Sequence, residues 1–446
     1  MRLTRRATML GGAALLGACA TMRGGTGGES LFVRREGTGF RIGTRRYRYA
    51  GANMWYGAYL GADAPYGNRD RLKRELDRLR ALGVDNVRLL GSSERSPLHG
   101  SIQVDTFRDR SATYNRTLLE GLDFCLAEMG RREMKAVIYL TNFWEWSGGM
   151  MTYLSWVNGG RFLNMNDPAH PWPEFPDMVA QFYRTPAAVA LYHDYVRAVV
   201  TRTNGITGVA YADDPAIMSW QLANEPRPGG GEAVGSANLP AFHAWVRSTA
   251  RLIKSLDPNH LVSTGSEGLK GCIERPACVI DEHAIAEIDY LTTHIWPQNW
   301  GWVDPADIPG SWGRCETMVR EYLGHHLAFA AQLGKPLVIE EFGFPRDGAS
   351  FDPTSTTTYK DRYYNLIYDA VLSSARSGGP AAGSNFWAWN GEGRAQHPDH
   401  LYRPEDTSFL GDPPHEPQGW YGVFDGDATT KAAIAGQARA LAALPA

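Results

Sequence analysis

Two short segments of this sequence carry the residue types needed for acid–base chemistry at a sugar carbon. Asn224-Glu225-Pro226-Arg227 follows the apolar run 217–223, and Glu341-Phe342-Gly343 closes the run 337–341. Glycosidic bond cleavage passes through an oxocarbenium-like state, so it needs an acid for the leaving oxygen and a carboxylate facing the sugar carbon. Glu225 and Glu341 are the candidates. If their carboxyls stand about 5 Å apart, the second can attack directly and the anomeric configuration is retained. Other runs end in supporting chemistry: Arg88 within 84–90, His294 and Trp296 at the end of 290–296, Trp387 and Trp389 within 384–389. Each residue alone has a structural explanation. Asn224-Glu225 reads as a helix cap after a buried strand, Arg88 as half of an ion pair, His294 as a satisfied core histidine, and Trp144, Trp146 and Trp300 as packing. Glu340 rivals Glu341, because successive strand residues face opposite sides. Glu267, in Gly265-Ser266-Glu267-Gly268, is a further candidate for substrate contact.

These residues act together only if one architecture gathers them. Strand-like runs occupy 48–53, 84–90, 136–141, 217–223, 261–264, 290–294, 337–341 and 384–389. Helical segments lie between them, as in 69–82, where Leu72, Leu76 and Leu79 recur at helical spacing. The others are 117–131, 187–202, 241–256, 315–333 and 360–377. Eight strands, each followed by a helix, suit a closed parallel barrel, because parallel neighbours need long crossovers. A doubly wound open sheet alternates as well. No repeat or low-complexity break marks a second domain. The expectation is a single (β/α)8 barrel over 31–446, with a short hairpin at 31–33 and 40–42 and enlarged βα loops. In such a barrel the strand ends and following loops form the catalytic face.

The bulk numbers exclude little and favour one class. The chain has 446 residues, 43% hydrophobic and 21% charged, ordinary values for a globular protein with a sizeable core. Fourteen Trp and 20 Tyr supply flat apolar faces of the kind sugars stack on, although a large aromatic core would use them too. A net charge of −3 gives no basis for binding to nucleic acid or to an anionic membrane surface, so a membrane is expected only through a lipid on Cys19.

Residues 1–20 read as an export signal: a basic start through Arg5-Arg6, then a short apolar stretch. The paired arginines resemble a twin-arginine signal, and Leu16-Gly17-Ala18-Cys19 resembles a lipoprotein cleavage box with Cys19 as the lipidated residue. Ordinary cleavage after Ala20 is the competing reading. Both readings place the protein outside the cytoplasm, in the periplasm, anchored at the outer membrane, or extracellular. Residues 21–30 are a Gly-rich tether. Cys272 and Cys278 are spaced to close a small disulfide loop, whereas Cys125 sits in an apolar helical stretch and reads as a buried thiol. No Cys/His spacing reads as a zinc site.

The ordered series of motifs resembles glycoside hydrolase family 5 of the retaining barrel clan, and within it the bacterial β-mannanase branch. The residues that carry the resemblance are Asn142-Phe143-Trp144-Glu145-Trp146-Ser147-Gly148-Gly149, Thr207-Gly208-Val209-Ala210-Tyr211, Asn224-Glu225-Pro226-Arg227, His294-Ile295-Trp296-Pro297-Gln298-Asn299-Trp300, Glu341-Phe342-Gly343 and the stretch from Ser384 to Arg394. The resemblance implies that Glu225 is the general acid/base and Glu341 the nucleophile. It also implies that Asn224 bonds the sugar 2-hydroxyl, Arg88 keeps the nucleophile ionised, His294 joins the network of the acid/base, and Trp387 forms the floor of the cleavage subsite. Trp296 stands where much of the family has Tyr, and an indole can only donate.

The activity so implied is endo-hydrolysis of β-1,4-mannosidic bonds in mannan, glucomannan or galactomannan, by a monomer with no cofactor or metal. Exo-acting β-mannosidase or mannobiohydrolase action, β-1,4-glucanase action, transglycosylation and non-catalytic glycan binding are the alternatives. An acid must carry its proton when substrate arrives, so Glu225 is expected to have a raised pKa and the rate profile to be bell-shaped.

Overall fold

The structure, a computed structural model, describes residues 31–445 apart from His99 and Ala112. The export signal, Cys19 and the Gly-rich tether lie outside the described residues. The chain opens with three antiparallel strands, β1 (Val33–Glu36), β2 (Gly39–Ile42) and β3 (Arg45–Tyr47). Eight parallel strands follow: β4 (Tyr49–Asn53), β5 (Asn86–Leu90), β6 (Lys135–Tyr139), β7 (Ile217–Gln221), β8 (Leu261–Ser263), β9 (Leu291–Ile295), β10 (Leu337–Phe342) and β11 (Ala381–Phe386).

Their order in the sheet is β8-β7-β6-β5-β4-β11-β10-β9, so the first strand of the series pairs with the last. The remaining seam, between β8 and β9, is drawn together by Asp289 N–H to Val262 O at 2.8 Å and His294 N–H to Glu267 O at 3.2 Å. This is a (β/α)8 barrel. The helices outside it bury one stripe each. In Arg69–Ala81 the stripe is Leu72, Leu76 and Leu79, and the Asn68 side chain caps the first turn by accepting from Arg71 N–H at 2.9 Å.

The expected strands lie close to the observed ones, but the helix expected over 315–333 begins at Ile308, and two further differences are instructive. The helix expected from residue 241 begins at Glu232 and continues through Pro240 to Leu256. Proline is a poor interior helix residue and makes an apparent start, but here it forgoes one backbone bond within a 25-residue helix. A third strand, β3, extends the expected hairpin into a small sheet. Val33, Phe40 and Tyr47 from that sheet are buried against Tyr49, Val137, Met218, Leu261, Tyr290, Val338 and Ala382. These partners sit at the starts of the barrel strands, so the small sheet plugs the end opposite the catalytic face. Cys125 is a buried free thiol, and Cys272 and Cys278 are bridged, with Cα atoms 5.6 Å apart.

Candidate active site

The two carboxylates reach the cavity by different local devices. Glu225 lies just past β7, in a loop laced to its neighbours: Asn224 N–H to Thr141 O at 2.8 Å, Phe143 N–H to Asn224 O at 2.9 Å, and Glu225 N–H to Gly265 O at 2.9 Å. Its φ is +50°, a left-handed conformation that costs a non-glycine residue roughly 1–3 kcal/mol and persists only where neighbours impose it. Gly265 is one of those neighbours. Its own φ is +76°, and a Cβ there would stand 1.9 Å from Ala223 O, so no larger residue allows this approach.

Glu341 lies within β10, where the ladder slips. Ile339 pairs with Thr293 and Glu341 with His294, which leaves Glu340 as the extra residue of a bulge. The alternation rule therefore does not separate the two glutamates as the sequence suggested: both reach Arg88. They differ in what else they face. Glu341 lines the cavity, whereas Glu340 is fully buried behind it and accepts both of its bonds from Gln221 Nε2, at 2.6 Å each.

Arg88 is the hub. Fully buried on β5, its guanidinium donates to Glu341 Oε1, to Asn224 Oδ1 at 2.8 Å, to Asn53 Oδ1 at 3.2 Å and to Gln221 Oε1 at 2.7 Å, over the face of Tyr139. Asn224 in turn donates to Asn142 Oδ1 at 3.1 Å, which leaves its second amide N–H available on the cavity side. His294 Nδ1 stands 2.6 Å from Glu225 Oε1 and 3.3 Å from Glu341 Oε2, so one ring nitrogen addresses both carboxyls. Oxygens of the two carboxyls lie within 4.8 Å of each other, the close spacing of a retaining pair and well short of the wider gap that admits a water for inversion. Glu225, His294 and Glu341 are also, among the described residues, a group with metal-ligand geometry. The Arg88 charge on Glu341 opposes a second cation there, and the donor set suits a sugar better.

The electrostatics overturn one expectation. Glu225 was expected to be raised, and its pKa is instead lowered to about 2. Burial pushes it up, but the His294 bond and charge, Arg227 and the Trp144 indole outweigh burial. Glu341 is pushed up to about 8, because burial and the charges of Glu225 and Glu340 exceed the help from His294 and Arg88. Burial works against a charged His294 too, yet Glu341, Glu225 and Glu340 raise it to about 10. The shifts run in opposite directions, favouring the charge on Glu225 and the proton on Glu341, while Glu267 beside them is also raised by burial. Such a pair titrates as a unit, and His294 connects its two members.

Tryptophans frame a cavity of about 600 Å³ around this pair. Trp144 Nε1 donates to Glu225 Oε2 at 2.5 Å. Trp296 Nε1 donates to Glu225 Oε1 at 3.3 Å, so the Trp-for-Tyr difference is read by the acid/base candidate and not by Glu341. Trp387 meets Trp296 edge-on at 5.9 Å, and Trp300 lines the cavity beside Lys270. Glu267 also borders the cavity, but it is buried in an ion pair with Arg227.

Arg227, quoted in the motif but given no role there, lies over Trp144 and the exposed Trp172, at 5.0 and 5.7 Å. Other residues here had no sequence signal of their own. Pro413, His415 and Glu416 close one wall from the long segment between β12 (Trp389–Gly391) and β13 (Val423–Phe424). Only the fold brings that segment to the barrel mouth, so no local pattern could have flagged it.

Known proteins resemble this chain in sequence and fold. The family described as GH family 5 beta-mannosidase-like matches residues 30–445. A putative mannan endo-1,4-beta-mannosidase 9 of Oryza sativa subsp. japonica is 32% identical over 370 residues, covering 80% of this chain and 81% of the relative. Mannan endo-1,4-beta-mannosidase 1 of Arabidopsis thaliana is 30% identical with the same coverage. The crystal structure of a glycoside hydrolase family 5 mannosidase from Rhizomucor miehei, in complex with mannosyl-fructose, superposes with a TM-score of 0.84 at 34% identity, covering 93% of this chain and 98% of that one. These relatives are plant and fungal, and they give no support to the narrower placement in a bacterial mannanase branch. By the extent of the family match and the identity to these relatives, the chain belongs to the β-mannosidase-like group of glycoside hydrolase family 5.

Proposed function

We propose that this enzyme hydrolyses β-1,4-mannosidic bonds of mannans and their oligosaccharides by retaining double displacement. The observation that carries the mechanism is the close carboxyl pair, whose two members are shifted in opposite directions by their surroundings. Glu341 attacks the anomeric carbon while Glu225 protonates the leaving oxygen. Productive binding therefore places the shared proton on Glu225 and the charge on Glu341. His294, within reach of both, is the route between the two arrangements. Water, activated by Glu225, then releases the sugar from Glu341. Asn224 holds the 2-hydroxyl, and Trp387 supports the ring.

Cleavage within the chain is the mode named for the plant relatives, and it is supported by their resemblance over four-fifths of the sequence. Release from a chain end is a second reading, favoured by a specific observation. Pro413, His415 and Glu416 wall one side of the cavity, His415 and Glu416 close enough to feel the charge of Glu225, so the space around the pair is a pocket bounded on that side. The mannosidase from Rhizomucor miehei matches the chain along nearly its whole length. Export through residues 1–20, with or without a lipid on Cys19, and a monomeric state belong to the same proposal.

Product analysis of end-labelled mannohexaose tests all of this, with cellohexaose in parallel. Mixed oligosaccharides from the first minutes support internal cleavage. Mannose or mannobiose alone from the start supports the chain-end mode. Cleavage of cellohexaose in preference to mannohexaose sinks the mannan reading.

A further inference from the structure

The end of the barrel remote from the catalytic face has a chemistry of its own. From Val33 to Arg48 the chain carries six arginines (Arg34, Arg35, Arg41, Arg45, Arg46 and Arg48) against the single Glu36, in a protein whose overall charge is −3. The plug fold explains their arrangement. Val33, Phe40 and Tyr47 turn inward to seal the barrel, so the arginines between them are left outward. Arg34, Arg35, Arg45 and Arg46 are exposed.

Beside this sheet lies a concavity of about 1020 Å³, to which Arg45, Arg46, Arg48, Arg80, Lys135 and Arg439 contribute, against three carboxylates. Among the described residues, Arg41 pairs with Glu36 and Arg80 approaches Glu133 at 3.9 Å. Arg45 feels the charge of Asp85 and Arg48 donates to Pro445 O at 3.2 Å, but among the described residues no carboxylate stands within ion-pair distance of Arg45, Arg46 or Arg48. Arg48 has Arg46 for a neighbour, and burial and that like charge both lower its pKa. The cations outnumber the carboxylates near them, so the cluster costs the fold some self-repulsion.

Charge decides what can cover this face. Leu31, the first described residue, is exposed beside this concavity, and the sequence before it carries Arg2, Arg5, Arg6 and Arg23 against one Glu29, so the chain's own leader is the wrong sign. A second copy would present the same arginines. The complementary partner is a broad anionic surface. Position favours a bilayer: from Cys19 to Leu31 the chain spans at most roughly 40 Å when fully extended, so anchorage at Cys19 would hold this end close to the lipid headgroups.

We propose that the arginine-rich basal face docks on an anionic phospholipid surface, with the catalytic mouth turned away from the membrane. Arg45, Arg46 and Arg48 approach the headgroup phosphates, within the ~8–10 Å over which such charges act at ordinary salt. The assignment does not depend on which glycoside is cut.

The test is flotation of the full chain carrying Cys19→Ser, which removes any lipid attachment. Vesicles of neutral phosphatidylcholine are compared with the same vesicles doped with phosphatidylglycerol. The expected result is binding to the doped vesicles only, weakened by salt. The pair Arg45→Gln/Arg46→Gln should lower partitioning roughly twenty-five-fold, since each arginine near such a surface is worth about one factor of five. Arg110→Gln/Arg161→Gln, the same charge change on loops of the opposite end, should leave binding intact, and both pairs should keep their rate on a soluble substrate. Equal binding to neutral vesicles, no binding to either kind, or an equal loss from both pairs would overturn the proposal. So would tighter, Arg45/Arg46-dependent capture by an anionic polysaccharide, which would make the partner a polymer and not a membrane.

Discussion

The Nδ1 atom of His294 stands 2.6 Å from Oε1 of Glu225. This contact makes the acid/base candidate part of a charge cluster. Glu225 is lowered by His294, Arg227 and Trp144 whereas burial raises Glu341, so near neutrality the single proton of the carboxyl pair is favoured on Glu341.

The pH profile follows from that single proton. Turnover needs one carboxyl protonated and one charged, whichever carries the proton at rest. As pH rises through about 8 the pair loses its last proton, so the alkaline limb should lie there. On the acid side a second proton must enter, and Glu225 resists it, so that limb falls below the usual carboxylate range. His294→Gln removes a cation that lowers both groups. Both limbs should then move to higher pH, and kcat/KM should drop by roughly 10²-fold or more. Profiles of kcat/KM for the two forms check this, and limbs that stay fixed would remove His294 from the cluster.

Azide separates the two roles of the carboxyls. Each of Glu225→Ala and Glu341→Ala should lose activity on mannan, on the order of 10⁴-fold, as expected when one member of a concerted pair is deleted. With an activated aryl mannoside, azide should rescue both. The Glu341 variant should yield the α-azide, because azide attacks directly from the face the nucleophile has vacated. The Glu225 variant should yield the β-azide, because azide takes the sugar from Glu341. NMR of the products decides, and reversed anomers would exchange the assignments.

Glu340→Gln tests the bulge. Glu340 faces Gln221 behind the cavity and Glu341 faces the cavity, so this variant should lose far less rate than Glu341→Gln, roughly ten-fold through slackened positioning of Arg88 and Gln221. Equal losses would mean that the two glutamates act as one unit.

That pair of neighbours also marks how far the sequence could be read. The strands were visible because parallel strands buried on both faces appear as apolar runs, and the chemistry at their ends stood out against them: Arg88, Asn224, Glu225, His294 and Glu341 all reach one site. The bulge at Glu340 was not visible, because a one-residue slip leaves no trace in composition. Neither was the charge order, since the groups that hold Glu225 ionised, Trp144, His294 and Arg227, arrive from three separate parts of the chain: the loop after β6, β9 itself and the loop after β7. His415 and Glu416 lie in a long segment without period, and only the closed barrel gives them a neighbour.

Arg88→Met should be costly for the fold as well as for catalysis. It leaves Glu341 and Glu340 buried without their shared cation, and a broken buried pair of this kind costs about 3–5 kcal/mol. Urea denaturation should show that loss in the midpoint with an unchanged slope. Arg88→Lys keeps the charge but cannot reach Asn53, Gln221, Asn224 and Glu341 together, so it should recover stability more than rate. Recovery of both in equal measure would reduce Arg88 to a counter-ion.

The last test concerns the loop closed by Cys272 and Cys278. Ile273 and Glu274, inside that loop, both line the cavity and both have positive φ, at +50° and +58°, which neither residue type adopts without constraint. The bridge supplies the constraint, together with Glu274 N–H to Leu269 O at 2.9 Å. Cys272→Ser/Cys278→Ser frees a loop of a few residues, for which chain entropy alone predicts a loss of about 2 kcal/mol. The catalytic carboxyls are held by other elements and should keep their geometry. Rate on a short activated mannoside should therefore change little, whereas KM for longer manno-oligosaccharides, which must lie along this wall, should rise several-fold. Kinetics on the two substrates check it. A parallel loss of kcat on both would mean that the loop supports the carboxyl pair and not the sugar chain.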